Sequence, residues 1–145
     1  MLPVTGKGRR KRSTEEQVAH KYGVLLRSFL RRRELLADSL TSSQVAALLG
    51  TSRQTPHDRA RNNTLLGVHD RGGLLFPAWQ FDPQGPNGVV PGLPEVLQAL
   101  HVSPLAKVSW LTRPNAYLDQ RTPLETLQRG EIEPVVRIAR AVGVA

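Results

Sequence analysis

The stretch LTSSQVAALLGTSRQTPHDRARN, Leu40 to Asn62, decides the reading of this chain. It divides into a helix, a tight turn and a second helix. Counting from Ser42, Ala46 falls fifth and Gly50 ninth, the places where two steeply crossing helices need little bulk and a backbone free to turn. Val45, Leu48 and Leu49 give the first helix an apolar face, and Ser52 is placed to cap the second. Ser52, Arg53, Gln54, Thr55, His57, Asp58, Arg59 and Arg61 then form a polar row. Donors and acceptors on the exposed N-terminal side of a second helix suit base edges in a major groove. An ordinary helical hairpin with a solvated second helix is the plainer alternative. Pro56 stands where most helix-turn-helix sequences carry a branched apolar residue, and its missing N–H is tolerable only close to the helix start.

Working outward, the charge lies on one side of this stretch. Residues 1–33 hold ten Lys or Arg against Glu15 and Glu16, a net of +8, while the remaining residues hold ten of each sign. Within Met1 to Arg12, residues Lys7, Arg9, Arg10, Lys11 and Arg12 read as a disordered basic arm able to follow phosphates. A solubilising tail is the alternative for the same composition. From Ser13 or Thr14 to about Asp38, apolar residues recur at helical spacing: Val18, Tyr22, Leu25, Leu26, Phe29, Leu30 and Leu36. So wide a stripe in a small domain suggests packing on a second copy of the chain.

Downstream, Leu65–His69 and Leu74–Phe76 flank Asp70-Arg71-Gly72-Gly73, whose residues suit a tight β-turn. A short hairpin, or wing, is expected there, with His69 and Arg71 at its tip and the aromatics of Phe76, Trp79 and Phe81 pinning it to the helices. DPQGPNGVVPGLP, from Asp82 to Pro94, is too rich in Pro and Gly for a regular element and reads as a linker. Beyond it, Pro94, Ser103-Pro104 and Thr122-Pro123-Leu124-Glu125 open short helices, Gly130 closes one, and a last helix follows Pro134. The expected architecture is mainly α: a basic arm (1–12), a helix-turn-helix region with a wing (13–81), a linker (82–92) and a small helical bundle (93–145).

Within that bundle, Trp110-Leu111, Pro114-Asn115, Leu118, Arg121-Thr122-Pro123-Leu124, Leu127 and Gly130 follow one another in a spacing that resembles the toxin-binding C-terminal domain of the Xre/MbcA/ParS antitoxin family. The resemblance covers about a quarter of the chain. Its members place a helix-turn-helix region ahead of this domain, as here. Two features depart from the family: Asp119-Gln120 stands in a turn where members often have glycine, and the Arg-rich arm and hairpin are additions. The resemblance implies an antitoxin of a two-gene module that neutralises a RES-domain, NAD-degrading toxin by direct binding and represses its own promoter. Arg113, Tyr117, Arg121 and the terminal Ala145 are then the expected toxin contacts, since Arg and Tyr are the types that anchor interfaces. The partners expected are double-stranded DNA of the promoter, the toxin, and further copies in a homodimer or a larger assembly with toxin.

Other classes fit less well. His20, His57, His69 and His101 lack the spacing of a metal site or of a nucleophile and its base, and no glycine loop suits a phosphate, so neither catalysis, metal nor cofactor is expected. No apolar run approaches the roughly 20 residues that span a bilayer, and with no cysteine the chain reads as cytoplasmic. The competing account is a stand-alone helix-turn-helix regulator whose C-terminal bundle dimerises or senses a ligand.

Overall fold

A computed structural model describes residues 14–143. The chain is mainly helical, with seven α-helices among the described residues and one small three-stranded antiparallel sheet. The described residues divide into two compact units that part between Glu34 and Leu35. The expectations for Arg9, Arg10, Lys11, Arg12 and Ala145 lie outside the described residues.

α1 spans Thr14–Leu35 and supplies the first unit as far as Glu34, with Glu15 and Glu16 in its first turn and Arg32 and Arg33 in its last. That placement of charge favours the helix dipole at both ends. None of its residues is buried.

The second unit begins with a strand that periodicity did not indicate, β1 (Ser39–Thr41), too short to carry an alternation signal. Next come α2 (Ser42–Leu49) and α3 (Gln54–Arg61), and then the hairpin β2 (Val68–Asp70) and β3 (Gly73–Pro77). The sheet order is β1-β3-β2, with Leu40 opposite Phe76 and Val68 opposite Leu75. The hairpin closes through Arg71 (φ 49°) and Gly72 (φ 83°), two left-handed residues in a two-residue loop, as a type I′ turn requires.

The stretch expected to be a linker packs closely. Phe81 bridges Val89, a 3-10 turn occupies Pro86–Gly88, and Val89 and Val90 are buried. Gly85 explains part of this fit, since a Cβ there would stand 1.8 Å from the Val89 carbonyl oxygen. Proline and glycine prevent regular structure, but they do not prevent burial.

Four helices complete the unit: α4 (Leu93–Ala99), α5 (Pro104–Thr112), α6 (Pro123–Gln128) and α7 (Ile132–Ala141). Most of their ends follow the expected signals, but α7 starts at Ile132, so Pro134 lies in its first turn and not ahead of it. Ser103 accepts from the Ala106 amide, Thr122 and Glu125 form a capping box, and Gly130 adopts φ 85° beyond α6. α4 packs on α7, and α5 and α7 each pack on α6. Buried residues from Leu36 and Val45 through Phe76, Val89 and Leu93 to Leu111, Val135 and Ala139 belong to one hydrophobic core.

Candidate nucleic-acid interface

The geometry of α3 is set at its approach. Thr41 caps α2 with a reciprocal box: its Oγ1 accepts from the Gln44 amide at 3.2 Å, and Gln44 Oε1 accepts from the Thr41 amide at 2.8 Å. The T-x-x-Q pattern is the signal for that cap, one residue ahead of the Ser42 from which the helix was counted. At the other end Gly50 takes φ 69° in open space, so the backbone conformation itself is what calls for glycine. Ala46, 5% exposed, keeps the crossing close.

Ser52 does not cap α3 as expected. The Thr55 amide is taken by the Ser52 backbone carbonyl at 3.2 Å, and the next residue, Pro56, has no amide to offer. The Ser52 hydroxyl meets Thr55 Oγ1 instead, at 3.3 Å. Pro56 is buried, so it fills the inward position at the third residue of α3, where its missing N–H breaks no helical bond.

With Pro56 inward, Gln54, His57 and Arg61 are exposed at a spacing of three and four, on one face of α3. Arg53 precedes them and donates to Ser43 Oγ through Nε at 3.2 Å and NH2 at 2.8 Å, a tie between α2 and the start of α3. The row is internally paired. Asp58 Oδ1 accepts from Gln54 Nε2 and from Arg61 NH1, each at 3.1 Å, and so holds both side chains along the helix. Thr55 is half-buried against Ser52.

Arg59 sits elsewhere. Its NH1 donates to the Asn87 carbonyl at 3.2 Å and its Nε to Thr64 Oγ1 at 3.4 Å, which ties α3 to the 3-10 turn, and burial lowers its pKa. Arg71 lies exposed at the hairpin tip.

Two buried polar residues that composition did not single out hold this region in place. Gln80 accepts from the Leu66 amide at 2.8 Å and donates to the carbonyls of Leu66 at 2.9 Å and Pro77 at 3.0 Å, a side chain doing the work of a strand. Lys107, on α5, donates to Leu97 O at 2.8 Å and to Asn63 Oδ1 at 3.2 Å, just past the end of α3. Desolvation lowers its pKa. Neither residue belongs to a local motif, because both bind groups distant in sequence.

On the opposite half of the chain, the loop from Arg113 to Arg121 is held by its own backbone. Asn115 N donates to Arg121 O and Gln120 N to Asn115 O, both at 3.0 Å, while Asn115 Oδ1 accepts from Tyr117 N at 2.9 Å. Asp119 and Gln120 both take positive φ, at 56° and 65°, in the turn where the resembled family often has glycine. Arg113 is exposed and Tyr117 is 85% exposed, whereas Arg121 pairs with Glu131 at 3.3 Å. Among the described residues no group of three His, Cys, Asp or Glu is placed to hold a metal ion, and no helix is long and apolar enough to cross a membrane.

No protein-family model matches the sequence, and neither does any curated protein. Among solved structures the chain is similar to the NMR structure of Rv2175c, with a TM-score of 0.60 and 26% identity over 71% of this chain and 79% of that one.

Proposed function

We propose that the chain is a sequence-selective double-stranded DNA-binding regulator, in which α2, the Gly50 turn and α3 form a helix-turn-helix and the β2–β3 hairpin is its wing. The observation that carries this reading is the face of α3: Gln54, His57 and Arg61 are exposed together while buried Pro56 seats the opposite side. These side chains offer donors to base edges, Arg53 stands at the helix start, and Arg71 at the wing tip is placed for a phosphate or a minor groove. Arg59 serves the fold in this reading. The excess positive charge of residues 1–33 adds a sequence-independent attraction. The test is fluorescence anisotropy on duplexes selected by the protein from a random pool. Gln54→Ala/His57→Ala/Arg61→Ala is expected to reduce discrimination between selected and scrambled duplex to near unity, with an unchanged circular dichroism spectrum. Discrimination equal to wild type overturns the reading.

A second reading, the antitoxin, is favoured by the Arg113–Arg121 loop. A tyrosine 85% exposed on a loop closed by its own hydrogen bonds has the character of an interface anchor. In this reading Arg113 and Tyr117 bind a RES-domain toxin, Arg121 supports them through Glu131, and the complex represses its own promoter. The test is growth of a host expressing the neighbouring gene, with and without the full chain. Rescue that Arg113→Ala/Tyr117→Ala abolishes supports this role, and a harmless neighbour or an absence of rescue removes it, leaving the DNA-binding reading intact.

A further inference from the structure

A helix of 22 residues with none buried is unusual in carrying so much apolar surface: Tyr22 and Phe29 are each 67% exposed, and Val18, Leu25, Leu26 and Leu30 range from 44% to 61%. We propose that α1 pairs with α1 of a second copy of this chain, antiparallel, about a two-fold axis between Gly23 and Val24.

The occupant follows from the order of residues along the helix. Glu15, Val18, Tyr22, Leu25, Phe29 and Arg32 are separated by alternating steps of three and four, the seam of a coiled coil. Leu26 and Leu30 widen that seam on one side. Antiparallel pairing about the stated axis sets Tyr22 level with Leu25, Val18 with Phe29, and Glu15 with Arg32. Apolar residues meet apolar ones, and the acidic first turn of each helix meets the basic last turn of the other. A parallel pair instead stacks Arg32 on Arg32 beside Arg31 and Arg33, and aligns the two helix dipoles.

The area is adequate for a second copy. Covering the stripe removes on the order of 600 Å² per chain, and two chains together reach about 1,200 Å², the lower bound for a stable specific interface. The helix is about 33 Å long, enough for four apolar layers between the two charged ends. This pairing does not depend on the DNA reading. If both hold, the dimer carries two copies of α3.

The test uses the full chain in analytical ultracentrifugation. Wild type is expected to sediment as a dimer at about 50 µM, and Tyr22→Glu/Phe29→Glu to weaken association by at least about a hundredfold while keeping the thermal transition of residues 35–145. A monomeric wild type overturns the proposal, including one that binds anionic vesicles, which would make the stripe a membrane face. So does a dimer indifferent to the double substitution. Orientation is read by oxidation, since the chain has no cysteine of its own. A mixture of Val18→Cys and Phe29→Cys chains is expected to cross-link, and Val18→Cys alone is not. Efficient self-linking of Val18→Cys contradicts the antiparallel arrangement.

Discussion

Asp58 draws Gln54 and Arg61 to itself and sets a carboxylate, which repels phosphate, among the exposed residues of α3. With Asp58 and Arg61 side chains 47% and 70% exposed, the ion pair contributes little to folding. Asp58→Asn is expected to change stability by less than about 0.5 kcal/mol and to raise affinity for scrambled duplex about tenfold, measured by anisotropy at fixed salt. Arg71 holds φ 49° at the hairpin tip, a conformation that asparagine or glycine adopts more readily. Arg71→Asn is therefore expected to stabilise the fold by about 0.5–1 kcal/mol in denaturant titration and to lower the salt slope of DNA binding by about one. Lys107 gives a pH effect. Because burial lowers its pKa, the unfolded chain holds more protons between the folded value and the ordinary one near 10.5. Stability contributed by this group rises as pH climbs through that window and levels off above it. Lys107→Met is expected to remove that alkaline rise from a series of denaturant midpoints.

At the level of elements, helix ends were legible because the signals are local: the Ser103 and Thr122 caps, the Gly50 turn and Gly130 each follow from a few adjacent residues. What binds one element to another was not. β1 exists by pairing with β3, and the 82–92 segment packs because Gly85 lets the backbone approach Val89. Gly85→Ala forces a Cβ onto backbone, where no flexible side chain can yield, and is expected to cost several kcal/mol. Gln80 lies between Trp79 and Phe81, whose aromatic rings carry the stronger sequence signal. Gln80→Leu leaves the buried N–H and C=O of Leu66 unpaired, and a loss of about 2–4 kcal/mol in chemical denaturation is expected. The same limit applied to the candidate site. The exposed residues of α3 were readable from their order, while the Asp58 pairing and the turning of Arg59 toward Asn87 needed the folded chain.

Over the whole molecule, residues 35–145 form one compact unit with a shared core. Val89, Val90 and Leu93 are buried in that core, and Lys107 bonds across to Asn63 beyond α3. The fragment 92–145 alone is therefore expected to lack the cooperative thermal transition of the full chain. The similarity to Rv2175c likewise extends over 71% of this chain. The central claim remains that α3 reads DNA, and its most direct measurement is in vitro selection from a random duplex pool with wild type and with Gln54→Ala/His57→Ala/Arg61→Ala in parallel. The expected result is a defined motif enriched by wild type and lost with the variant, although the variant folds normally. Enrichment of the same motif by both proteins, or of none by wild type, would contradict the claim.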